Sequence, residues 1–135
     1  MRFHTDGRSV QARFIPSAEH SGFHRTVHGG LLATVLDEVM VWACAVASRR
    51  FGYCAEFNIR FLHPVRPGEP TLVTGELVAN RKNRIYEAKA QIQDGAGRVL
   101  ASATGKYLPL KGGGEGELLV ADVVGDLSWV IGERG

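Results

Sequence analysis

One segment constrains the fold of this chain more than any other. Residues 30–50 are good helix formers and are apolar nearly all round. A helix with that pattern has to be enclosed on most sides by the rest of the protein. We expect Gly52 to end this helix. Asp37 and Glu38 at its centre make it a poor candidate for a membrane span.

Alternating apolar and polar residues predict the strands that surround this helix. One strand precedes it and four follow, at residues 10–14, 55–61, 72–79, 86–92 and 99–107. The polar turns between the last three strands are short, which indicates antiparallel hairpins. The order of strand, helix and four-stranded meander predicts an α+β fold in which one antiparallel sheet wraps the helix. Because a flat sheet covers one side only, the sheet must curve or a second subunit must close the other side.

Composition indicates one globular domain. The chain has 135 residues, of which 44% are hydrophobic and 22% charged, and its formal net charge of +2 is too small to indicate a nucleic-acid partner. We assign the domain to residues 1–111, and residues 112–135 to a Gly-rich linker and a tail of unknown role. The polar N-terminus predicts a cytoplasmic protein without a signal peptide. Cys44 and Cys54 match no metal or redox spacing and are expected to be reduced thiols.

Two glycines at the start of the helix are the first candidates for chemistry. Gly29 and Gly30 follow His28 and leave bare backbone N–H groups at the positive end of the helix. An oxygen that develops negative charge can approach such groups closely, as in an oxyanion hole. Tight packing of the helix against a strand would require the same glycines, so both interpretations stay open at this point.

Asp37 is the second candidate, because it lies inside an otherwise apolar helix. Burying an unpaired carboxylate is costly, so this side chain must be solvated, paired or catalytic. As a catalyst it would be a general base or a nucleophile, and it shares a helix face with Thr34 and Val41. An exposed face shared with Glu38, or a carboxylate capped by the backbone of a partner chain, is the structural alternative.

The spacing between Gly29 and Asp37 predicts where a shared site could form. These positions are eight residues apart, which corresponds to about 12 Å along one helix. An oxyanion donor and a base must each lie about 3 Å from the carbonyl group that they act on. If both act on one carbonyl, the site is therefore built from two antiparallel helices in a dimer.

The stretch from Val27 to Glu38 resembles the signature of the hotdog-fold acyl-CoA thioesterases. The likeness is to the phenylacetate-pathway-type (PaaI-like) branch of the 4-hydroxybenzoyl-CoA thioesterase superfamily. The step Phe61-Leu62-His63-Pro64, aromatic-x-x-Pro, fits the end of that family's next strand. The similarity covers about residues 10–110 in element order. It implies a hotdog fold and a homodimer, or a dimer of dimers, with a continuous sheet. It also implies hydrolysis of an acyl-CoA thioester at the dimer interface, without metal or cofactor.

The resemblance also implies roles for individual residues. The Gly29 N–H would polarise the thioester carbonyl, Asp37 of the other subunit would be base or nucleophile, and His28 would shape the helix start. The implied substrate-binding residues are Gly30, Thr34, Cys54, Asn58, Gly22 and His24.

Two of these positions depart from the family pattern. Gly22 stands where relatives often carry Asn or Gln, and Cys54 where they often carry Ser or Thr. Since a thiol is a weak donor, the first alternative is a hotdog protein that binds acyl-CoA or a related ligand without efficient turnover. A partner-binding module, with the tail over the interface, is the second.

Overall fold

A computed structural model describes residues 2–17 and 26–110 of the chain. In that part it contains one helix and six strands: β1 Phe3–Thr5, β2 Ser9–Phe14, α1 Gly29–Ser48, β3 Gly52–Phe61, β4 Thr71–Arg81, β5 Ile85–Gln93 and β6 Val99–Pro109. The predicted helix and the five predicted strands are all present. The strand β1 was missed, because three residues are too few for an alternating pattern to stand out. Predictions on residues 112–135 lie outside the described residues.

The sheet is antiparallel throughout and has the order β1-β2-β4-β5-β6-β3. The prediction of a four-stranded meander is therefore wrong. Strands β4, β5 and β6 do form a meander, but β3 pairs with β6 at the far edge of the sheet. The connection over residues 62–70 spans up to about 30 Å when extended, which is ample to cross the two intervening strands β6 and β5, at about 4.8 Å for each of the three inter-strand spacings.

The helix α1 lies on one face of this curved sheet and fills its centre. Its fully buried residues include Leu36, Val39 and Trp42, and they pack with buried sheet residues such as Val73 and Ile92. The predicted α+β architecture is confirmed. By length and mean hydropathy (1.7), α1 also passes the criterion for a membrane-spanning helix, as the core helix of a soluble protein does.

The helix ends earlier than the sequence predicted. Arg49, with φ 65°, adopts the left-handed conformation that closes α1, and its N–H donates to the Ala45 carbonyl at 2.8 Å. Gly52 does not end the helix but begins β3. A Cβ atom at Gly52 would lie 2.8 Å from the Leu108 carbonyl oxygen of β6, so this glycine serves the close approach of two strands. A glycine was expected at the helix end because other residues adopt that conformation at a cost of about 1 kcal/mol.

The sheet approaches the backbone of α1 closely at Gly75, and this contact gives a stability prediction. A Cβ atom there would lie 3.1 Å from the Val39 carbonyl oxygen. We expect Gly75→Ala to lower the free energy of unfolding by about 1–3 kcal/mol, because backbone must shift to admit the methyl group. Denaturant unfolding measures the change. The control is Gly95→Ala, in a turn where a Cβ atom meets nothing within 4 Å. Equal destabilisation by both substitutions would contradict the packing argument.

Candidate active site

His28 caps the start of α1 with its own side chain. Its Nδ1 accepts the Gly30 N–H at 2.9 Å, which places the ring proton of the neutral imidazole on Nε2. Its carbonyl oxygen accepts the N–H groups of Leu31 and Leu32 at 3.1 and 3.3 Å. A Cβ atom at Gly30 would lie 3.0 Å from His28 Nδ1, so the cap favours glycine at this position. The Gly30 N–H is thereby occupied by the cap.

The Gly29 N–H differs from those of its neighbours. None of the hydrogen bonds among the described residues uses it. The Gly29 Cα lies close to the ring of Phe61 in β3, because a Cβ atom added there would lie 3.2 Å from the Phe61 Cζ. An open cleft of about 350 Å³ adjoins this point, with Val27, Leu32 and Val65 among its lining residues. The positive end of α1 therefore meets a largely apolar cleft with a backbone donor beside it.

Asp37 is half-buried on α1 and is held by a tyrosine from the sheet. The hydroxyl of Tyr107 in β6 donates to Asp37 Oδ1 at 2.7 Å. Among the described residues, no hydrogen bond or ion pair engages Asp37 Oδ2. The carboxylate is thus paired through one oxygen and available through the other. Its neighbour Glu38 has its pKa raised, first by burial and then by the charge of Asp37.

Cys54 completes a group around this carboxylate. It lies opposite Tyr107 in the β3–β6 register, and its Sγ is 3.5 Å from the Glu56 carbonyl oxygen. Burial and the negative charge of Asp37 raise the pKa of the Cys54 thiol, so it stays protonated near neutral pH and is a weak donor rather than a thiolate nucleophile. We refer to Asp37, Cys54 and Tyr107 as the carboxylate cluster.

Tyr107 is the member of this cluster that sequence reasoning missed. Its place in the alternating apolar pattern of the last strand marked it as core, and it is indeed fully buried. The signal was its hydroxyl, because a buried tyrosine hydroxyl usually has a hydrogen-bond partner. The proximity of Tyr107 to Cys54 could not be predicted while β3 was expected beside β4, since it depends on β3 pairing with β6.

Two sequence-predicted residues are not brought to the carboxylate cluster. The Thr34 hydroxyl is exposed and donates to the Gly30 carbonyl oxygen at 2.9 Å.

Asn58 pairs in register with Thr104, while the adjacent pairs contain the buried residues Gly105 and Ala103. Because side chains alternate along a strand, Asn58 points to the outer face of the sheet, away from α1. It lines a groove of about 920 Å³ there. Gly22 and His24 lie outside the described residues.

The described chain thus carries two separate half-sites. The helix start, formed by His28, Gly29 and Gly30, offers a backbone donor beside an apolar cleft. The carboxylate cluster lies two turns further along α1. In the described ranges, no three His, Cys, Asp or Glu side chains are grouped to hold a metal ion. Cys44 and Cys54 are both free thiols, and burial raises the pKa of Cys44 to about 12.

The chain belongs to the thioesterase superfamily, which matches it over residues 24–101. Human (Homo sapiens) acyl-coenzyme A thioesterase 13 is 26% identical over 84 residues, which is 62% of this chain and 60% of that protein. The match thus spans less than two thirds of the curated relative.

Solved structures share the same architecture. The PaaI protein of the E. coli phenylacetic acid degradation operon has a TM-score of 0.73 at 19% identity, covering 79% of this chain and 81% of that one. A Streptococcus mutans protein bound to acetyl-CoA has a TM-score of 0.71 at 15% identity, covering 82% and 90%. The predicted hotdog fold is confirmed.

Proposed function

We propose that this protein hydrolyses small or medium acyl-CoA thioesters to a free acid and coenzyme A, as a member of the PaaI-like branch. The observation that carries the proposal is Asp37, a half-buried carboxylate on the core helix, with one oxygen held by Tyr107 at 2.7 Å and the other unengaged among the described residues. Membership of the thioesterase superfamily and the likeness to an acyl-coenzyme A thioesterase support the same reaction.

The proposed reaction uses the two half-sites together. The Gly29 N–H of one chain donates to the thioester carbonyl oxygen and stabilises the negative charge that develops there. Asp37 of the other chain accepts a proton from water through Oδ2 as the water oxygen attacks the carbonyl carbon. Collapse of the tetrahedral intermediate breaks the C–S bond, and the proton on Asp37 passes to the departing thiolate.

Direct attack by the Asp37 carboxylate is the other route open to this arrangement. It would give a mixed anhydride with release of the coenzyme A thiolate, and water would then hydrolyse the anhydride. A single turnover in ¹⁸O-labelled water can establish the anhydride route in the protein itself. Only the anhydride route can leave ¹⁸O in the Asp37 side chain, where mass spectrometry of the peptide detects it.

Both routes need a second copy of the chain, and β3 offers the surface for it. It is an edge strand, whose outer side pairs with no described strand. Its side chains include Tyr53 and Phe61, which are 52% and 53% exposed, and the partly buried Phe57 and Ile59. A long, apolar edge strand is prone to pair with another strand. Antiparallel pairing of two β3 strands would extend the sheet and bring two α1 helices to the same face.

The side-chain pattern of β3 selects one register for that pairing. Directly opposed residues in an antiparallel pair point to the same face of the sheet. When two copies of β3 pair with both helices on one face, one residue of β3 therefore lies opposite the same residue of the partner. When that residue is Asn58, Glu56 lies opposite Arg60 of the partner, twice by symmetry. Centring on Phe57 or on Ile59 instead places one of these charges opposite Asn58. The Asn58 register also sets Phe61, beside Gly29, against the partner's bulge at Cys54.

Thiol release from a panel of acyl-CoAs tests the activity. The panel contains short-chain, long-chain and aryl thioesters, and free coenzyme A is measured with a thiol reagent. We expect turnover of at least one class, which then names the acyl group. The second candidate, a binding protein without turnover, is favoured by Cys54, whose thiol is a weak donor where relatives often carry Ser or Thr. Binding of a non-hydrolysable acyl-CoA thioether without thiol release from any thioester would establish it.

A further inference from the structure

We propose that Tyr107 is a positioning residue that fixes the orientation of the Asp37 carboxylate and leaves Oδ2 as its reactive oxygen. The inference rests on the proposed function for its kinetic consequence, although the contact itself does not. The Tyr107 hydroxyl lies 2.7 Å from Asp37 Oδ1 and 3.5 Å from the Asp37 carbonyl oxygen. The two residues are 70 positions apart in sequence, so the contact is a product of the fold.

The ring of Tyr107 has little freedom to move. It is fully buried. A Cβ atom at Gly105 would lie 2.8 Å from its Cε2, and a Cβ atom at Gly52 would lie 3.3 Å from its Cβ. The ring therefore occupies space that Gly105 of its own strand leaves open, and Gly52 of β3 leaves room for the Tyr107 Cβ. A hydroxyl on so confined a ring holds its acceptor in one place, which is what preorganisation of a reacting group requires.

The chemistry of the pair suits a carboxylate that works through its second oxygen. Burial and the contact with Asp37 raise the pKa of the Tyr107 phenol, so the phenol keeps its proton and remains a donor. A hydrogen bond from a neutral hydroxyl to a carboxylate is charge-assisted and stronger than a neutral one. Occupying Oδ1 in this way leaves Oδ2 as the oxygen that can accept a proton from water or attack a thioester.

The sheet supplies a matched control in Tyr86. It lies directly opposite Tyr107 in the β5–β6 register and is equally buried. Its hydroxyl has no hydrogen-bond partner among the described residues. Replacing either tyrosine with phenylalanine thus removes the same hydroxyl group from the same layer of the core. Only the replacement of Tyr107 removes a hydrogen bond to the Asp37 carboxylate.

The kinetic test compares Tyr107→Phe with Tyr86→Phe. For Tyr107→Phe we expect kcat to fall about tenfold to a hundredfold with KM unchanged, because the carboxylate loses its orientation while the binding surface is kept. Tyr86→Phe should keep the wild-type kcat. Unchanged kcat in Tyr107→Phe, or equal losses in both variants, would overturn the positioning role. Circular dichroism and thermal unfolding of both variants verify that the fold is retained.

A second readout needs no activity and separates this inference from the proposed function. The groups that act on the Tyr107 phenol are Asp37 and Cys44 from α1 and Cys54 from β3. Replacing Asp37 with Asn exchanges the charged acceptor of the Tyr107 hydroxyl for a neutral amide oxygen, so the ring Cζ resonance of Tyr107 at neutral pH should shift between the wild type and Asp37→Asn. Ring ¹³C NMR of labelled tyrosine measures this, with Tyr53 and Tyr86 as internal references. An unchanged Tyr107 resonance would refute the contact even in a protein that hydrolyses thioesters. A shifted resonance without thiol release from any substrate would refute the proposed function alone.

Discussion

Asp37→Asn is expected to lower kcat for thioester hydrolysis by about a hundredfold or more, equivalent to about 2.7 kcal/mol of transition-state stabilisation. The substitution keeps the shape of the side chain and still offers an oxygen to the Tyr107 hydroxyl. It removes the negative charge that lets Oδ2 accept a proton from water or attack the carbonyl carbon. The fold should persist, because the side chain is half-buried and the core around it is unchanged.

The neighbouring residue gives this experiment its control. Glu38 is also half-buried on α1, but it points about 100° away around the helix. Glu38→Gln removes one carboxylate charge from the same segment and should leave kcat within about threefold of the wild-type value. The expectation for Asp37 fails if both variants lose activity equally, or if Asp37→Asn retains it. Binding of a non-hydrolysable acyl-CoA to both variants shows whether the loss lies in chemistry rather than in affinity.

The sequence was informative wherever a residue contradicted its local surroundings. A carboxylate inside an apolar helix singled out Asp37, and two adjacent glycines singled out the start of α1. Both observations are local, so they survive errors in the arrangement of strands. The length and apolar character of α1 likewise required a sheet wrapped around it, which the structure contains.

Long-range pairing was the part that the sequence did not reveal. Which strand lies beside β3 depends on how the connection over residues 62–70 is routed, and an alternating pattern is the same for either neighbour. Because β3 pairs with β6, Cys54 lies opposite Tyr107. Tyr107, which the sequence assigned to the core, also contacts Asp37, the candidate base. The end of α1 was misplaced for a local reason: Arg49 adopts a conformation for which glycine was expected.

Charge reversal on β3 is expected to break the proposed active dimer, and a mixture of two variants is expected to restore it. In the Asn58 register, Glu56→Arg places the introduced arginine opposite Arg60 of the partner at two equivalent points. Arg60→Glu places two glutamates opposite each other in the same way. Like charges directly opposed on paired strands are destabilising, so each variant alone should have a dimer Kd raised about tenfold or more. Since the proposed mechanism uses both half-sites on one carbonyl, activity at low protein concentration should fall with the dimer.

Mixing the two variants tests the register itself. If the strands pair as proposed, a heterodimer of Glu56→Arg with Arg60→Glu has opposite charges at both points where these residues face each other. At one point the introduced arginine faces the introduced glutamate. At the other, the native Arg60 of one chain faces the native Glu56 of the other. The mixture should therefore regain the dimer and the thioesterase activity that each variant lacks. Sedimentation and thiol release are measured on the same samples.

The control for the mixing experiment is Glu76→Arg, because Glu76 pairs with Lys89 of its own chain at 3.0 Å, away from β3. This variant reverses the same kind of charge on the same sheet and should keep both the dimer and the activity. A mixture that shows only the average of its components rules out the Asn58 register. A dimer Kd that is unchanged in both single variants also rules out the Asn58 register, because that register opposes like charges at two points in each variant.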